Sequence, residues 1–388
     1  MKINKKVGIV YHYIAHYRHA IFQELFNNSN HNYTLISAKE SGNNIKTIDP
    51  ELAFTPINKG GFRWLFVKNK WLLKNRLLWQ SGLISHLRKQ NYDTVVFLGN
   101  IYYLSTWVAI GYLKLKRKKI FLWTHGVTSD ANDIKWRFRK FFYSLTDGLL
   151  LYGHEAKNVM IQNGFKEQKL HVIYNSLDHE IQMQYRREIT DVTVSETKKA
   201  LFLNPELPYI VFVGRLTMQK KLDMIVEASK LLNEEGFKIN TLFVGDGEGK
   251  EDLISLVNLH GLGDYFNFYG ACYNESVISK LIGSADICVS PGEVGLTAIT
   301  SLGYGTPVIS HGNFNYQMPE YESIEPGING DFFIHDSKED LAYKIKLWIN
   351  GAKQKSREQI RKNCFEIIDS KYNPKNQASL INEIISNS

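Results

Sequence analysis

Short, almost continuously apolar segments alternate with segments of helical periodicity along nearly the whole chain, and this alternation constrains the fold more than any other feature. Strands of this kind are buried on both faces, which is typical of parallel sheets covered by helices. In the first half, strands are predicted at residues 7–11, 33–37, 94–98, 119–123 and 148–152. In the second half, they are predicted at residues 209–213, 240–244, 266–269, 286–290 and 307–310. The sequence therefore predicts an α/β fold.

The alternation is interrupted between residues 180 and 205, where the sequence is polar and has no strand character. A chain of 388 residues is also too long for one ordinary core. We therefore predict two Rossmann-like, doubly wound domains that face each other across a cleft, over residues 1–185 and 200–370. The tail, residues 371–388, is expected to be helical and to pack back on the first domain. Ligands are expected at the carboxyl ends of the strands.

The three cysteines, Cys272, Cys288 and Cys364, lie far apart and are odd in number. This pattern argues against a disulfide framework and a zinc site, and it fits a reducing compartment. The apolar run at residues 7–11 is too short for the apolar region of a signal peptide. No uninterrupted apolar stretch reaches about 18 residues, so no transmembrane helix is expected. We expect a cytoplasmic protein.

Positive charge is concentrated in the first half: residues 1–180 carry 26 Lys and Arg against 12 Asp and Glu, whereas residues 181–388 carry 21 against 27. Two stretches there, 63–79 and 135–143, mix aromatic and aliphatic residues with Lys and Arg. This mixture suits the interface of an anionic bilayer, and we favour peripheral membrane contact. The alternative is an amphipathic core helix with a solvated basic face. No nucleic-acid recognition motif appears, so no nucleic acid partner is expected.

The first chemistry-bearing turn lies in the segment 211–223, VFVGRLTMQKKLD. A predicted strand ends at Gly214, where the missing side chain lets a ligand approach the backbone. Arg215 and Lys220 then flank the start of a helix. Diphosphate is bound by cations and by backbone N–H groups at a helix N-terminus, and these residues offer both. The alternative is two surface cations at a helix start.

The second turn lies in the segment 290–310, SPGEVGLTAITSLGYGTPVIS. A glycine-rich stretch joins a strand end to a helix, so the backbone amides of Gly295, Leu296 and Thr297 are expected to point at an anion. Glycines before helices are common in α/β proteins, so this motif alone is not specific. A third turn, VGDGEGK at 244–250, follows a predicted strand. We favour a plain connection between a strand and a helix, and the alternative is a turn that lies near the same cleft.

Taken together, these stretches resemble the family-4 glycosyltransferases of the two-domain GT-B fold. That family carries a GRLxxxKG segment after a strand, a VGDG turn, an ADxxVxPS strand, and a glycine-rich turn before a helix ending in GTPVI. The counterparts here read VGRLTMQKK, VGDGEG, SADICVSPGEVGL and GYGTPVI. MPE at 318–320 and EPGINGDFF at 325–333 look like the family's PE…G-NG-L segment, and VIYNSLD at 172–178 is similar to its VIPNGVD.

The resemblance implies an activity and a set of roles. Family members transfer a sugar from a nucleotide-diphosphate donor, usually with retention of anomeric configuration and without an essential metal. The C-terminal domain would bind a UDP- or GDP-sugar, and the N-terminal domain would bind the acceptor. Arg215 and Lys220 match the pyrophosphate-binding pair, and Gly295 and Leu296 match the turn whose amides face phosphate and sugar. We expect no cofactor and no metal, since the chain has no DxD triplet and its cations can replace Mg²⁺.

The sequence also departs from the family pattern. Two family glutamates lie eight positions apart around the glycine-rich turn, and their positions here fall on Gly292 and Thr300, with Glu293 displaced by one. The family's glycine after the lysine is Lys221. The early glycine-rich loop is replaced by YHYIAHYR at 11–18. The chain resembles a bacterial surface-polysaccharide subgroup, of capsule and O-antigen type, that shares such traits.

Candidate residues for chemistry and acceptor binding follow the predicted strands. His125 follows a strand in the first domain, where a histidine often contacts the donor sugar in this family, and we select it with Glu293 as a catalytic candidate. His16, Tyr17 and Arg18 follow the first strand and are candidates on the acceptor side. Arg18 would meet an acceptor phosphate, or alternatively cap the following helix.

These observations favour a metal-independent hexosyl- or other glycosyltransferase that extends a lipid-linked glycan of a bacterial surface polysaccharide, such as lipopolysaccharide O-antigen or capsule. It would work on the inner face of the cell membrane as a peripheral protein. One alternative is a nucleotide-sugar 2-epimerase or hydrolase of the same fold. Another is a catalytically silent sugar-nucleotide-binding subunit, which the missing acid at Thr300 suggests.

Overall fold

The structure, a computed structural model, describes residues 4–41, 45–127, 134–352 and 356–388. The chain divides into two compact units. One is formed by the residues up to Asp178 together with Asn373–Ser388, and the other by His179–Tyr372. Each unit has its own sheet and its own apolar core.

Among its described residues, the first unit contains a parallel sheet, a separate hairpin and six helices. Its strands are β1 (Lys6–Val10), β2 (Asn32–Ser37), β3 (Trp64–Phe66), β4 (Lys68–Leu72), β5 (Leu77–Ser81), β6 (Thr94–Leu98), β7 (Lys119–Thr124), β8 (Gly148–Leu151) and β9 (Leu170–Val172). Its helices are α1 (His19–Asn27), α2 (Leu83–Gln90), α3 (Leu104–Leu115), α4 (Ile134–Ser144), α5 (His154–Gln162) and, at the end of the chain, α14 (Pro374–Ser386). The seven-stranded sheet has the order β3-β2-β1-β6-β7-β8-β9, and β4 pairs only with β5.

The two faces of the first sheet support two apolar clusters. Along β7, Ile120 and Leu122 belong to one cluster, whereas Phe121 and Trp123 belong to the other. This division follows from the alternation of side chains along a strand. Since both faces are covered, the strands have the continuous apolar sequences from which they were predicted.

Helix α14 packs on α1 in the first unit. The Asn382 side-chain oxygen accepts hydrogen bonds from the Tyr33 hydroxyl and the Ser29 hydroxyl, both at 2.7 Å. Lys5 Nζ donates to the Ile385 carbonyl, also at 2.7 Å. The end of the chain is thus attached to the first strands by specific polar contacts as well as by apolar packing.

The second unit contains a six-stranded parallel sheet and eight helices among the residues that are described. Its strands are β10 (Tyr209–Val213), β11 (Asn240–Val244), β12 (Phe266–Gly270), β13 (Ile287–Ser290), β14 (Val308–His311) and β15 (Gly330–Phe333). Its helices are α6 (His179–Arg186), α7 (Asp191–Leu201), α8 (Asp223–Glu234), α9 (Lys250–Leu259), α10 (Glu275–Gly283), α11 (Leu296–Gly303), α12 (Lys338–Ala352) and α13 (Arg357–Ser370). The strand order is β12-β11-β10-β13-β14-β15.

The polar segment 180–205 is not a bare connection, because it contains α6 and α7. Ile189 and Val194 pack with Ile282 and Tyr304 in a small apolar cluster of the second unit. These few apolar side chains are enough to attach the segment to α10 and α11. The structure therefore changes units at Asp178, before the polar segment begins.

The basic stretch 63–79 does not form an amphipathic helix, so that alternative interpretation is wrong. It contains β3, β4 and most of β5. The turn between β4 and β5 has positive φ angles at Leu73, Lys74 and Asn75, and this left-handed run reverses the chain. The second basic stretch, 135–143, lies within α4, and its Trp136, Phe142 and Tyr143 are buried in the core, so the amphipathic-helix alternative holds for this stretch.

Candidate functional site

The second unit has a topological switch point between its two central strands. From β10 the chain moves outward through β11 to β12, and it returns to β13 on the other side of β10. The turns that follow β10 and β13 therefore start side by side and lead in opposite directions. Open α/β sheets bind ligands in the crevice at such a point. The segments 211–223 and 290–310 supply these two turns.

The two turns contact each other at Gly292. Its backbone N–H donates to the Lys220 carbonyl at 3.1 Å. A Cβ atom at Gly292 would lie 2.5 Å from the Gln219 carbonyl oxygen and 2.8 Å from Lys220 Cα. Only glycine leaves room for this approach, so the sequence PG places the first turn directly against the second.

Lys220 also reaches the second turn through its side chain. Its Nζ donates to the Glu293 carbonyl at 2.9 Å and lies 3.4 Å from the carboxylate oxygen Oε1 of the same residue. The two side chains are 23% and 45% exposed, and ion pairs this accessible contribute little to stability. The lysine can therefore exchange the carboxylate for a phosphate oxygen at small cost. The structure thus pairs two predicted site residues from different motifs.

Helix α11 begins beside this pair. Gly295 precedes it with φ +49° and ψ −148°, a conformation that favours glycine, and Leu296 is the first helical residue. The Thr297 hydroxyl donates to the Val213 carbonyl at 3.1 Å, so the first turn of the helix is attached to the end of β10. First-turn N–H groups have no intrahelical acceptor and carry the positive end of the helix dipole. This arrangement can hold an anion beside Lys220.

Thr300, one turn along α11, stands where the resemblance expects an acid. Its hydroxyl donates to the Leu296 carbonyl within the helix at 3.0 Å. While its proton is donated within the helix, the Thr300 hydroxyl can accept a hydrogen bond through a lone pair, but it carries no charge. The nearby carboxylate that the structure does provide is that of Glu293.

Arg215 is exposed at the end of β10, and the third turn lies against its neighbours. A Cβ at Gly245 would collide with the Gly214 carbonyl oxygen. The backbone N–H of Leu216 donates to the Asp246 carbonyl at 3.0 Å, and that of Gly249 donates to the Leu216 carbonyl at 2.9 Å. The turn 244–250, interpreted from sequence as a plain connection, therefore supports the backbone that carries Arg215.

Sequence reasoning missed a group of residues beside the first turn. Lys221 has φ +50°, forms an ion pair with Asp336 and places Nζ 3.2 Å from Nε2 of His335. The His335 ring packs against that of His311 with centroids 4.5 Å apart. Burial first, and then the charges of His335 and Lys221, lower the pKa of His311 to about 4. The available signal was position along the chain. His311 ends β14, and His335 and Asp336 follow β15.

In the first unit, Arg18 follows the end of β1 but is buried, with 9% of its surface exposed. Its guanidinium carbon lies 5.1 Å from the Trp123 ring centroid and 5.4 Å from that of Tyr152, and Nη2 donates to the Tyr152 hydroxyl. Arg18 occupies the N-cap position of α1, as the helix-cap alternative has it, but its side chain makes no capping hydrogen bond to the helix. Stacking of the cation on aromatic faces holds the guanidinium in place.

His125 lies beside this arginine, after the end of β7. Its ring centroid is 4.7 Å from that of Tyr152. Solvent reaches the side chain from one side, yet close packing on the other side and the charge of Arg18 lower the pKa of His125 to about 4. The imidazole is therefore neutral near pH 7 and can act as a hydrogen-bonding group. Tyr152, which sequence reasoning missed, links the two predicted residues.

His16 and Tyr17 remain exposed after β1. The His16 Nδ1 lies 3.2 Å from the Lys46 carbonyl, and the Tyr17 ring lies 5.9 Å from the Arg18 guanidinium carbon. A further histidine, His12, has its pKa lowered to about 4 by burial. Among the described residues, none forms a hydrogen bond with the buried Nδ1 of His12.

Two further observations concern metal-binding groups and membrane-spanning helices among the described residues. No group of three or more His, Cys, Asp or Glu side chains that could hold a metal ion occurs within 4–41, 45–127, 134–352 and 356–388. Over the same parts of the chain, no helix has both the length and the apolar character needed to cross a bilayer.

Comparison with known proteins gives matches over both halves of the chain. The family model Glycosyltransferase Family 4 matches residues 24–181, and Glycosyl transferases group 1 matches residues 193–366. Glycogen synthase of Flavobacterium johnsoniae is 28% identical over 197 residues, covering 48% of this chain and 39% of the relative. The 2-deoxystreptamine glucosyltransferase of Streptomyces kanamyceticus is 33% identical over 131 residues, covering 33% and 34%. The chain thus matches between a third and two fifths of these relatives' length.

Solved structures match over the whole chain. Anabaena Alr3699/HepE in complex with UDP has a TM-score of 0.73 at 15% identity, covering 99% of this chain and 100% of the other. WaaG, a glycosyltransferase involved in lipopolysaccharide biosynthesis, has a TM-score of 0.59 at 14% identity, covering 98% and 100%. At such identities the likeness establishes the fold. The predicted α/β fold of GT-B type, with two Rossmann-like domains of parallel strands, is confirmed.

Proposed function

We propose that this chain, which belongs to the glycosyltransferases through the group 1 and family 4 models that match its two halves, transfers a sugar from a nucleotide-diphosphate donor to a glycan acceptor. The observation that carries the proposal is the contact between the turns that follow β10 and β13, at the switch point of the sheet. They combine Lys220, the exposed Arg215 and the amides at the start of α11.

The reaction places its largest charge on the leaving group. The bond between the anomeric carbon and the β-phosphate oxygen breaks, and the acceptor hydroxyl oxygen forms the new bond, with retention of configuration. The hydroxyl proton leaves with the nucleoside diphosphate. Arg215 and Lys220 would neutralise the phosphate charge, and the N–H groups of Leu296 and Thr297 would bind its oxygens. In this proposal the chain's own cations do so without a metal ion or other cofactor.

The donor we propose is a UDP- or GDP-sugar. Alr3699/HepE has the same fold, and its structures contain UDP or UDP-glucose, which supports a uridine diphosphate. Glu293 would bind sugar hydroxyls once phosphate replaces it at Lys220. His125, neutral because its pKa is about 4, would orient the sugar or the acceptor by hydrogen bonding.

The acceptor we propose is a lipid-linked oligosaccharide of a bacterial surface polysaccharide, bound by the first unit. Two structures of the same fold, WaaB and WaaG, are named for lipopolysaccharide synthesis. The net positive charge of residues 1–180 supports a location on the anionic inner face of the cytoplasmic membrane. His16, Tyr17 and Arg18 would contribute to the acceptor side.

The test measures nucleotide binding in donor-site variants. UDP is expected to raise the melting temperature, because a ligand bound only by the folded state stabilises it. Arg215→Ala and Lys220→Ala should each weaken UDP about 10- to 150-fold, since charged hydrogen bonds contribute roughly 1.5–3 kcal/mol. Lys230→Ala, on α8 and paired with Glu234, is the matched control and should bind as the unsubstituted protein does. No shift with any nucleoside diphosphate would overturn the donor site.

A second candidate is a silent sugar-nucleotide-binding subunit. It is favoured only by Thr300, which offers a hydroxyl where the resemblance expects a carboxylate. Measuring release of UDP with and without a lipid-linked acceptor separates it from a transferase. Acceptor-dependent release that Arg215→Ala abolishes supports transfer. Release that does not need an acceptor would instead indicate the epimerase or hydrolase alternative.

A further inference from the structure

We infer that the two basic aromatic stretches of the first unit together contact an anionic bilayer, with the apex of the β4–β5 hairpin as the inserting segment. The inference rests on the proposed membrane location of the acceptor. It adds which residues contact the lipid.

The hairpin presents apolar side chains at its apex. Trp71, Leu72 and Leu73 are 40%, 44% and 70% exposed. Among the described residues, β4 and β5 pair with each other and with no strand of the main sheet. Exposed Trp and Leu at a turn are unfavourable in water, where polar residues are the rule.

Helix α3 connects the hairpin to the second stretch. The Trp71 ring lies 6.4 Å from that of Tyr103, and Tyr103 also bridges to Leu78 of β5. Tyr103 immediately precedes α3, and Trp107 lies at the start of that helix. The Trp107 ring lies 4.9 Å from that of Phe138 on α4.

The α4 end of this surface is also exposed. Phe138 and Phe141 are 51% and 56% exposed, and the Phe141 ring stacks on Trp107 at 6.2 Å. The hairpin apex and α4 therefore each contact an aromatic residue near the start of α3, Tyr103 and Trp107 respectively. We call the hairpin apex, Trp107 and these two phenylalanines the insertion surface.

Cations surround the insertion surface. Lys68, Lys70, Lys74 and Arg76 of the hairpin are all exposed. Between Glu51 and Asp130 the sequence contains a single acid, Asp93, and residues 134–144 contain none. An electropositive surface with Trp and Phe at its centre complements anionic headgroups over an acyl layer. Protein interfaces, by contrast, are depleted of lysine. These observations favour a bilayer over a protein partner.

The experiment measures sedimentation of the full chain with vesicles of phosphatidylcholine, with and without 30% phosphatidylglycerol. Leu72→Ser/Leu73→Ser should reduce binding to the anionic vesicles about tenfold or more, because each buried CH₂ contributes to partitioning. Lys74→Gln/Arg76→Gln should reduce binding at low salt and have less effect at high salt. Leu259→Ser, an equally exposed leucine of the second unit at 77%, should change nothing.

Several outcomes would overturn the inference: equal binding of the apex variant and the unsubstituted protein, equal binding to neutral and anionic vesicles, or no binding to either. Retention of UDP-induced stabilisation by the apex variant shows that it is folded. Arg215→Ala should bind vesicles normally. Failure of the insertion surface would therefore leave UDP binding intact, whereas failure of the proposed function would appear as loss of UDP binding.

Discussion

Substitution of Gly292 by alanine tests whether the contact between the two turns builds the donor site. The added Cβ would lie 2.5 Å from the Gln219 carbonyl oxygen and 2.8 Å and 3.0 Å from Lys220 Cα and carbonyl carbon. All three neighbours are backbone atoms, so relief requires the turns to separate by about 1 Å. Overpacking of this kind typically costs roughly 1–3 kcal/mol.

That cost can appear in two measurable quantities. If the turns stay together, the unfolding free energy falls by about 1–3 kcal/mol. If they separate, Lys220 moves from the start of α11, and UDP binds more weakly, about tenfold for each 1.4 kcal/mol. Urea unfolding of the variant measures the loss of unfolding free energy, and isothermal titration with UDP measures the loss of binding free energy. The two losses are then added.

The matched control is Gly111→Ala in α3. A Cβ there would have no heavy atom within 4 Å, so removing glycine from this helix should add roughly 0.5–1 kcal/mol of stability. The reasoning is refuted if Gly292→Ala keeps both the unfolding free energy and the UDP affinity within about 0.5 kcal/mol, the usual range for a surface substitution.

Three further predictions follow from single contacts. Lys221→Gly should raise the urea midpoint of unfolding, because a φ of +50° costs roughly 1–2 kcal/mol in a residue other than glycine. A lower midpoint would show that the ion pair of Lys221 outweighs this strain. The pKa of His311 is about 4 against 6.5 in the unfolded chain, so stability present above pH 6.5 should be lost as the pH falls toward 4. Protonation of His311 also removes the Nδ1 acceptor of the Asn313 N–H. His311→Asn should therefore flatten the dependence of melting temperature on pH. An unchanged slope would contradict His311 as the cause. Asn382→Ala should lower the unfolding free energy by about 1–3 kcal/mol because the Tyr33 hydroxyl loses its acceptor, and in a Tyr33→Phe background the same substitution should cost less.

Strands of the two main sheets could be predicted wherever both faces are buried. The run YIVFV predicts a strand at 209–213, and β10 spans those residues. β15, with the sequence GDFF, was missed because four residues with a glycine and an aspartate carry little periodicity. The hairpin at 68–81 was missed for another reason: β4 is mostly exposed, and its sequence KNKWL does not alternate between polar and apolar residues.

Site residues also divide into those that were predicted from sequence and those that only the structure showed. The strand-end positions of Arg215, Lys220 and Gly295 were visible from sequence, and the structure places their turns at one switch point. Their roles in donor binding remain predictions. The pairing of Lys220 with Glu293, and the left-handed backbone at Lys221, were not visible.

By itself, the amino-acid sequence determined two parallel α/β domains, the positions of the glycine- and lysine-containing turns at the strand ends, and the basic character of the first half. These properties depend on local periodicity and composition. Tertiary structure decided which turns meet. The close approach at Gly292, the aromatic enclosure of Arg18 and the contacts of the hairpin and of α4 with the start of α3 each join segments far apart in the chain. Such contacts depend on strand order and on the direction of each side chain, and no local pattern encodes either.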